Sequence, residues 1–255
     1  MIPKKIHYCW FGGNPLPPLA LKCIDSWKKY LPDYEIIEWN ESNYDVHKIP
    51  YIAQAYDNKK YAFVSDYARF DILYQYGGLY FDTDVEVIKD MTEIINTGSF
   101  LGMETISTVN PGLGMGCIKE EPFYKKILDS YQNKKFLLDS GELNTGYTIV
   151  HRTSDLLKKD GLKEVNEKQS IDGINIYPKE YFCPKDVRTL ELKVTENSYT
   201  IHHFDASWVN KHTKKMMIEK QWINEKISNK VLKTIMTKLV VLKKVIMCKL
   251  DKKSK

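Results

Sequence analysis

The stretch that most restricts the fold is GGLYFDTDVEVI, residues 77–88. It alternates with the period of a β-strand. Leu79, Phe81, Thr83 and Val85 share one face, and Tyr80, Asp82, Asp84 and Glu86 share the other. The apolar face belongs in a core, so the carboxylates are carried close to one. Two ionised carboxylates on one strand face repel, and burial adds a desolvation cost to each. Three arrangements relieve that cost: a solvated strand edge, a lysine for each acid, or a divalent cation between them. Gly77 and Gly78 close a helix, an apolar and aromatic run leads in, and the acids fall at the expected strand end. That context favours the cation, because hard carboxylate oxygens suit Mg²⁺ or Mn²⁺ shared with substrate phosphates.

The residues before this stretch set its surroundings. KKIHYCWFGG reads as a first strand running into a Gly-Gly loop, LPPLALKCIDSWKKYLPDY as a helix closed by Pro32, and EIIEWN as a second strand. KIPYIAQAYDNKKYAFVSDYARFDILYQYGG is helical, with Ser65 as the expected N-cap and Gly77 as the stop. Strand, helix, strand, helix, strand predicts a parallel, doubly wound sheet that binds ligands at the carboxyl ends of its strands. From 91 to 200 the pattern is more broken. GSFLGMET and NPGLGMGCIK suggest strands around a glycine-rich loop, PFYKKILDSYQ a helix, INIYPKEYFCP a strand into a loop, and SYTIHHFDASW another.

At 255 residues and 43% hydrophobic content, the chain can bury one large α/β core with an appendage. Its five cysteines are widely spaced with no CxxC pair, which reads as reduced thiols in a cytosolic protein. The start lacks the apolar run of a signal peptide, and no segment reaches the roughly 18 apolar residues of a membrane span. Lysines outnumber acids fourteen to three over residues 211–255, so the net charge of +5 belongs to the tail. There Val231, Ile235, Leu239, Leu242, Ile246 and Leu250 recur at helical spacing among the lysines. A basic amphipathic helix of this kind either lies on an anionic membrane or packs on the body with its lysines solvated. Without an aromatic or arginine platform, nucleic acid is not the expected partner.

FDTDV also fits the strand end of haloacid-dehalogenase-type phosphatases. That family places the motif on its first strand and needs a later acidic pair such as Gly-Asp, and neither holds here. A non-catalytic metal- or sugar-binding protein at a membrane is a further alternative.

Four stretches taken together resemble the DXD-containing glycosyltransferases of family 32, which include bacterial capsule-synthesis enzymes, with the clostridial glucosylating toxins as distant relatives. They are IPKKIHYCWFGGNPLP, YAFVSDYARFDILYQYGGLYFDTDVEVI, NTGYTIV and IHHFDASW, lying between residues 2 and 208. The resemblance implies an α/β fold of GT-A type, a mostly parallel Rossmann-like sheet flanked by helices, over residues 1–210. A basic helical tail follows over 211–255. It implies an enzyme that moves a hexose from a nucleotide sugar, UDP-galactose or UDP-glucose first, with retention of configuration. The acceptor would be a glycan, such as a lipid-linked oligosaccharide in capsule synthesis. The protein would work in the cytoplasm on the inner face of the membrane, held there by its tail.

Residue by residue, the resemblance implies that Asp82 and Asp84 hold Mn²⁺ or Mg²⁺, with His203 as a further ligand and His202 as the competing choice. It places Trp10 on the nucleotide base beside Gly12 and Gly13. It assigns Ser65, Asp66 and Arg69 to the donor sugar and diphosphate, with Tyr80 and Asp82 alongside. It puts Ser207 and Trp208 on the β-phosphate, and Thr145 and Gly146 in a loop near donor and acceptor, where Tyr147 replaces the usual proline. Read alone, Asp66 and Arg69 are rather an ordinary surface ion pair in a first helical turn, and Trp10 could be a core aromatic.

Overall fold

The chain, seen in a computed structural model, begins with strand β1 (Lys5–Cys9), helix α1 (Pro18–Tyr30) and strand β2 (Glu35–Trp39). Described are all residues except 188, 206–214, 217–218, 220–221, 224–226, 228–229 and 254–255. Leu31 caps α1 and Pro32 follows, as the sequence predicts. The helical stretch before Gly77 is two helices, α2 (Pro50–Asp57) and α3 (Tyr61–Tyr76), separated by a turn in which Lys59 has φ +56°. Ser65 is therefore not an N-cap. It lies inside α3, and its hydroxyl donates back to the Tyr61 carbonyl at 3.2 Å.

Strand β3 (Gly78–Tyr80) leaves α3 through Gly77 at φ +63°, a conformation that glycine adopts without steric cost. The long strand expected over 77–88 then breaks. Residues 81–84 form a turn, closed by the Val85 N–H donating to the Asp82 carbonyl at 3.0 Å, and β4 (Val85–Val87) follows. After α4 (Thr92–Ile95) come β5 (Phe100–Thr105), β6 (Thr108–Val109), a 3₁₀ turn (Pro111–Leu113) and β7 (Met115–Cys117). Helices α5 (Pro122–Asp129) and α6 (Ile149–Lys159), strands β8 (Gln169–Ile171) and β9 (Ile174–Tyr177), helix α7 (Lys179–Phe182) and strand β10 (Thr200–His202) complete this part.

The main sheet runs β2-β1-β3-β7-β5-β9-β8, with β6 beside β5. Strands β2, β1 and β3 are parallel, β7 runs against β3 and β5, β9 is parallel to β5, and β8 is antiparallel to β9. Five of the seven strands on this path thus point the same way. This is the α/β, mostly parallel sheet flanked by helices that the sequence leads one to expect. Strand β4 pairs instead with β10, in a second, two-stranded sheet.

Both faces of the main sheet are covered. On one, Cys9, Tyr80, Leu101, Met115 and Ile176 pack with Val64, Phe70 and Tyr124 of α3 and α5. On the other, Trp27 of α1 lies against Tyr8 and Phe81, with ring centroids 5.8 and 5.4 Å away. Helix α3 is buried nearly all round (Phe63, Val64, Ala68, Phe70, Ile72, Leu73), so it shows no polar stripe. That burial carries Arg69 and Asp71 inside with it.

By compactness the chain divides into two units, Met1–Pro184 with Thr195–His203, and Lys185–Val194 with Phe204–Lys255. The second contains the basic helix expected near the end, α8 (Lys230–Lys253).

Candidate active site

Strands β1 and β3 are parallel neighbours, so their carboxyl ends deliver Trp10 and Asp82 to the same edge of the sheet. Asp82 is fixed from two sides. The Arg69 guanidinium bridges its oxygens at 3.2 and 3.3 Å, and the Tyr80 hydroxyl donates to Oδ1 at 3.1 Å. Arg69 also pairs with Asp66 at 3.0 Å, donates through Nε to the Ser65 carbonyl at 3.1 Å, and lies over the Tyr80 ring at 5.0 Å. Burial works against the guanidinium, but Asp82, Tyr80 and Asp66 together outweigh it and hold it charged. Burial likewise keeps the Tyr80 phenol protonated, as a donor to Asp82 must be.

Asp66 is the strained member. Burial pushes its pKa from 3.8 up to about 6 against the pull of Arg69, and the nearby Asp82 charge adds to the rise. The Ile149 N–H, at the start of α6, opposes it. The expected surface ion pair is instead a largely enclosed cluster, with Arg69 buried, Asp66 nearly so and Asp82 partly exposed.

Asp84 points elsewhere, because β4 belongs to the second sheet. Its Oδ1 lies 3.2 Å from His202 Nε2, and its carbonyl accepts the His203 N–H at 2.9 Å. His203 turns away to Glu86 at 2.8 Å, and Lys22 of α1 reaches the same Glu86 oxygen at 2.8 Å. Of the two adjacent histidines it is thus His202, not the expected His203, that stands beside Asp84. Alternation along β10 allows only one of them inward. Burial lowers the pKa of His202, but the charge and hydrogen bond of Asp84, with Asp82 and Glu104 behind them, raise it overall.

Sequence reasoning missed the wall facing Asp82. The Asp82 N–H donates to the Gly112 carbonyl at 3.3 Å, and a Cβ on Gly112 would come within 2.1 Å of Asp82 Oδ2. Asn110 holds this turn, its Oδ1 accepting the Gly112 N–H at 2.7 Å while its amide donates to Glu104 at 3.0 Å. The glycine-rich run was visible in NPGLGMG, but not what it would press against.

Trp10 is half-buried and donates its indole N–H to the Asn14 carbonyl at 2.6 Å, and the Gly12 N–H donates to Glu41 at 2.6 Å. Thr145 and Gly146 are exposed, just before the Thr148 cap of α6. Tyr147, where a proline was expected, ties this loop to α6. Its ring stacks on His151 with centroids 5.9 Å apart, and its hydroxyl donates to Asp155 at 2.9 Å. Ser207 and Trp208 lie outside the described residues.

The donor set suits a divalent cation. Two carboxylates on one turn and an imidazole 3.2 Å from the second offer the oxygen and nitrogen ligands that Mn²⁺ and Mg²⁺ accept. Among the described residues no three such side chains form a ready cage. The protein would supply one or two ligands and substrate oxygens the remainder, the usual manner of holding such ions beside a phosphate.

Comparison with known proteins adds a similarity over part of the chain. Residues 17–101 match a glycosyltransferase sugar-binding region containing a DXD motif. Ser65, Asp66, Arg69, Tyr80, Asp82 and Asp84 all fall inside the matched residues. The chain is 28% identical over 131 residues to inositol phosphoceramide mannosyltransferase 3 of Schizosaccharomyces pombe, covering 50% of this chain and 36% of that one. It therefore spans about a third of that relative's length. It is 25% identical over 194 residues to an uncharacterised glycosyltransferase of Acanthamoeba polyphaga mimivirus, covering 72% and 74% of the two chains. Among solved structures it is similar to the PaToxG glycosyltransferase, at 20% identity and a TM-score of 0.47 over 63% of this chain and 69% of the other.

Proposed function

We propose that this chain is a metal-dependent glycosyltransferase that moves a hexose from a nucleotide sugar to a hydroxyl of a glycan or lipid-linked acceptor, with retention. The observation that carries the reading is the turn between β3 and β4. It sets Asp82, gripped by Arg69 and Tyr80, two residues from Asp84 beside His202, inside the matched sugar-binding region. This match also favours transfer over phosphate hydrolysis.

In this reading Asp84 and His202 would hold the cation, with Asp82 beside them. When bound, it would neutralise the diphosphate and stabilise the negative charge that grows there as the glycosidic bond breaks. Arg69, paired with Asp82, would offer its charge to the donor, and Asp66 would accept from sugar hydroxyls. Trp10 would stack on the base.

In the transfer itself, the bond between the anomeric carbon and the diphosphate breaks. The acceptor oxygen bonds to that carbon on the same face, and its proton passes to the departing phosphate oxygen. UDP-galactose and UDP-glucose remain donors to test. The mannosyltransferase activity named for the fission-yeast relative places GDP-mannose beside them.

The test is release of nucleoside diphosphate from UDP-galactose, UDP-glucose, UDP-N-acetylhexosamines and GDP-mannose, with Mn²⁺ and with EDTA. Metal-dependent release from one donor, abolished in Asp84→Ala with the melting temperature kept, is expected. Release from none, with no thermal shift by UDP or GDP plus Mn²⁺, would sink the proposal.

A further inference from the structure

We propose that α8 docks the protein flat on an anionic lipid surface through Val231, Ile235, Leu239 and Leu242. Their spacing puts them on one side of the helix. They are 69, 51, 59 and 56% exposed. The opposite side carries Met236, Thr237, Val240 and Lys244, which are half-buried, with Met247, 39% exposed, at its far end. The more apolar side is therefore the uncovered one, the reverse of a helix whose stripe serves its own core. The side chains of Ile246 and Leu250, expected to extend the stripe, lie outside the described residues.

Charge selects the occupant. The helix has eight lysines and a single acid, Asp251. Exposed Lys238 and Lys243 flank the stripe, so their aliphatic stems can lie along it; the Lys243 ammonium, 3.3 Å from Glu219 in the free chain, would exchange that partner for a lipid phosphate. Aliphatic side chains framed by cations match acyl chains below a layer of phosphates. A second copy of the helix would bring lysines against lysines, and a nucleic acid has no use for an aliphatic stripe. The helix lies on the surface rather than through it, since no helix among the described residues is long and apolar enough to cross a membrane.

The inference goes beyond the transfer reaction and is independent of it. The full chain is sedimented with vesicles of phosphatidylcholine alone and with about a third phosphatidylglycerol, and two variants are compared, Ile235→Ser/Leu239→Ser/Leu242→Ser and Lys238→Glu/Lys243→Glu. Binding at least tenfold tighter to the anionic vesicles is expected, with each variant losing at least tenfold while the melting transition of the remaining chain stays in place. Equal binding to both lipids would overturn the proposal. So would a stripe variant that binds like the wild type, or a wild-type dimer that ignores vesicles and becomes monomeric when the stripe is changed. Donor hydrolysis without vesicles is a separate readout, so a failed transfer reading leaves the vesicle result standing.

Discussion

Asp66→Asn should make the protein more stable and less active at once. The carboxyl is buried beside one arginine that it must share with Asp82, and its pKa rises from 3.8 to about 6. A raised carboxylate pKa means that the folded state binds more protons than the unfolded chain between those two values. Stability therefore falls as pH rises through that window. Two pKa units correspond to about 3 kcal/mol, which bounds what the charged Asp66 costs the fold at pH 7.5.

Asparagine keeps the shape and removes the charge. It gives up the Asp66–Arg69 ion pair, but Arg69 keeps Asp82, so no buried cation is orphaned. The net gain expected at pH 7.5 is about 1–2 kcal/mol, fading towards pH 4, where the native carboxyl is protonated. Urea unfolding in EDTA at pH 7.5 and 4.5 measures it, alongside donor turnover, which should fall at least a hundredfold. A loss of stability at pH 7.5, or a gain of equal size at both pH values, would show that the acid is not under the electrostatic strain described.

Three further outcomes can be measured. Buried His7 accepts from the Trp39 indole at Nδ1 and lies 3.0 Å from the Gly77 carbonyl through Nε2, and burial brings its pKa down to about 4. It stabilises the fold fully above pH 6.5, and this is lost as pH falls towards 4, so the advantage of wild type over His7→Gln should shrink by about 3 kcal/mol from pH 7.5 to 4 in urea titrations. A pH-independent difference would contradict the buried neutral tautomer. Gly112→Ala puts a methyl where Asp82 Oδ2 stands, so Mn²⁺-dependent nucleotide binding should weaken at least tenfold by calorimetry, and an unchanged Kd would clear Gly112 of any part in the site. His202→Ala should reduce Mn²⁺-dependent donor affinity more than His203→Ala, and the opposite order would restore the choice that the sequence suggested.

What was legible in the sequence was whatever depends on local pattern. The alternation around Leu79 located a strand, Gly77 its entry, and Pro32 the end of a helix. Failures came where a neighbour decides the outcome. Ser65 has the chemistry of an N-cap, but the helix starts a turn earlier because Lys59 takes the left-handed conformation that separates α2 from α3. Asp66 and Arg69 have surface spacing, yet α3 is buried nearly all round except at its last residues. Helix α6 was overlooked although Ile149, Thr153 and Leu157 recur four apart behind the Thr148 cap. The contact of Gly112 with Asp82 joins residues thirty apart and leaves no mark on the local pattern.

The broken strand answers why both acids tolerate one neighbourhood. Were residues 77–88 continuous, Asp82 and Asp84 would stand side by side and repel. Because β3 belongs to the main sheet and β4 to the pair with β10, the turn between them sends Asp82 toward Arg69 on α3 and Asp84 toward His202 on β10. Each acid has its own cationic or protonatable partner, so the turn can fold without a metal. Asp66 and Asp82 still share the Arg69 guanidinium, with Arg152 acting on Asp66 from farther off, and Glu104 lies near enough to act on His202. The excess negative charge stays at the carboxyl ends of β1 and β3, where Asp82 and Asp84 could hold a dication that would relieve it.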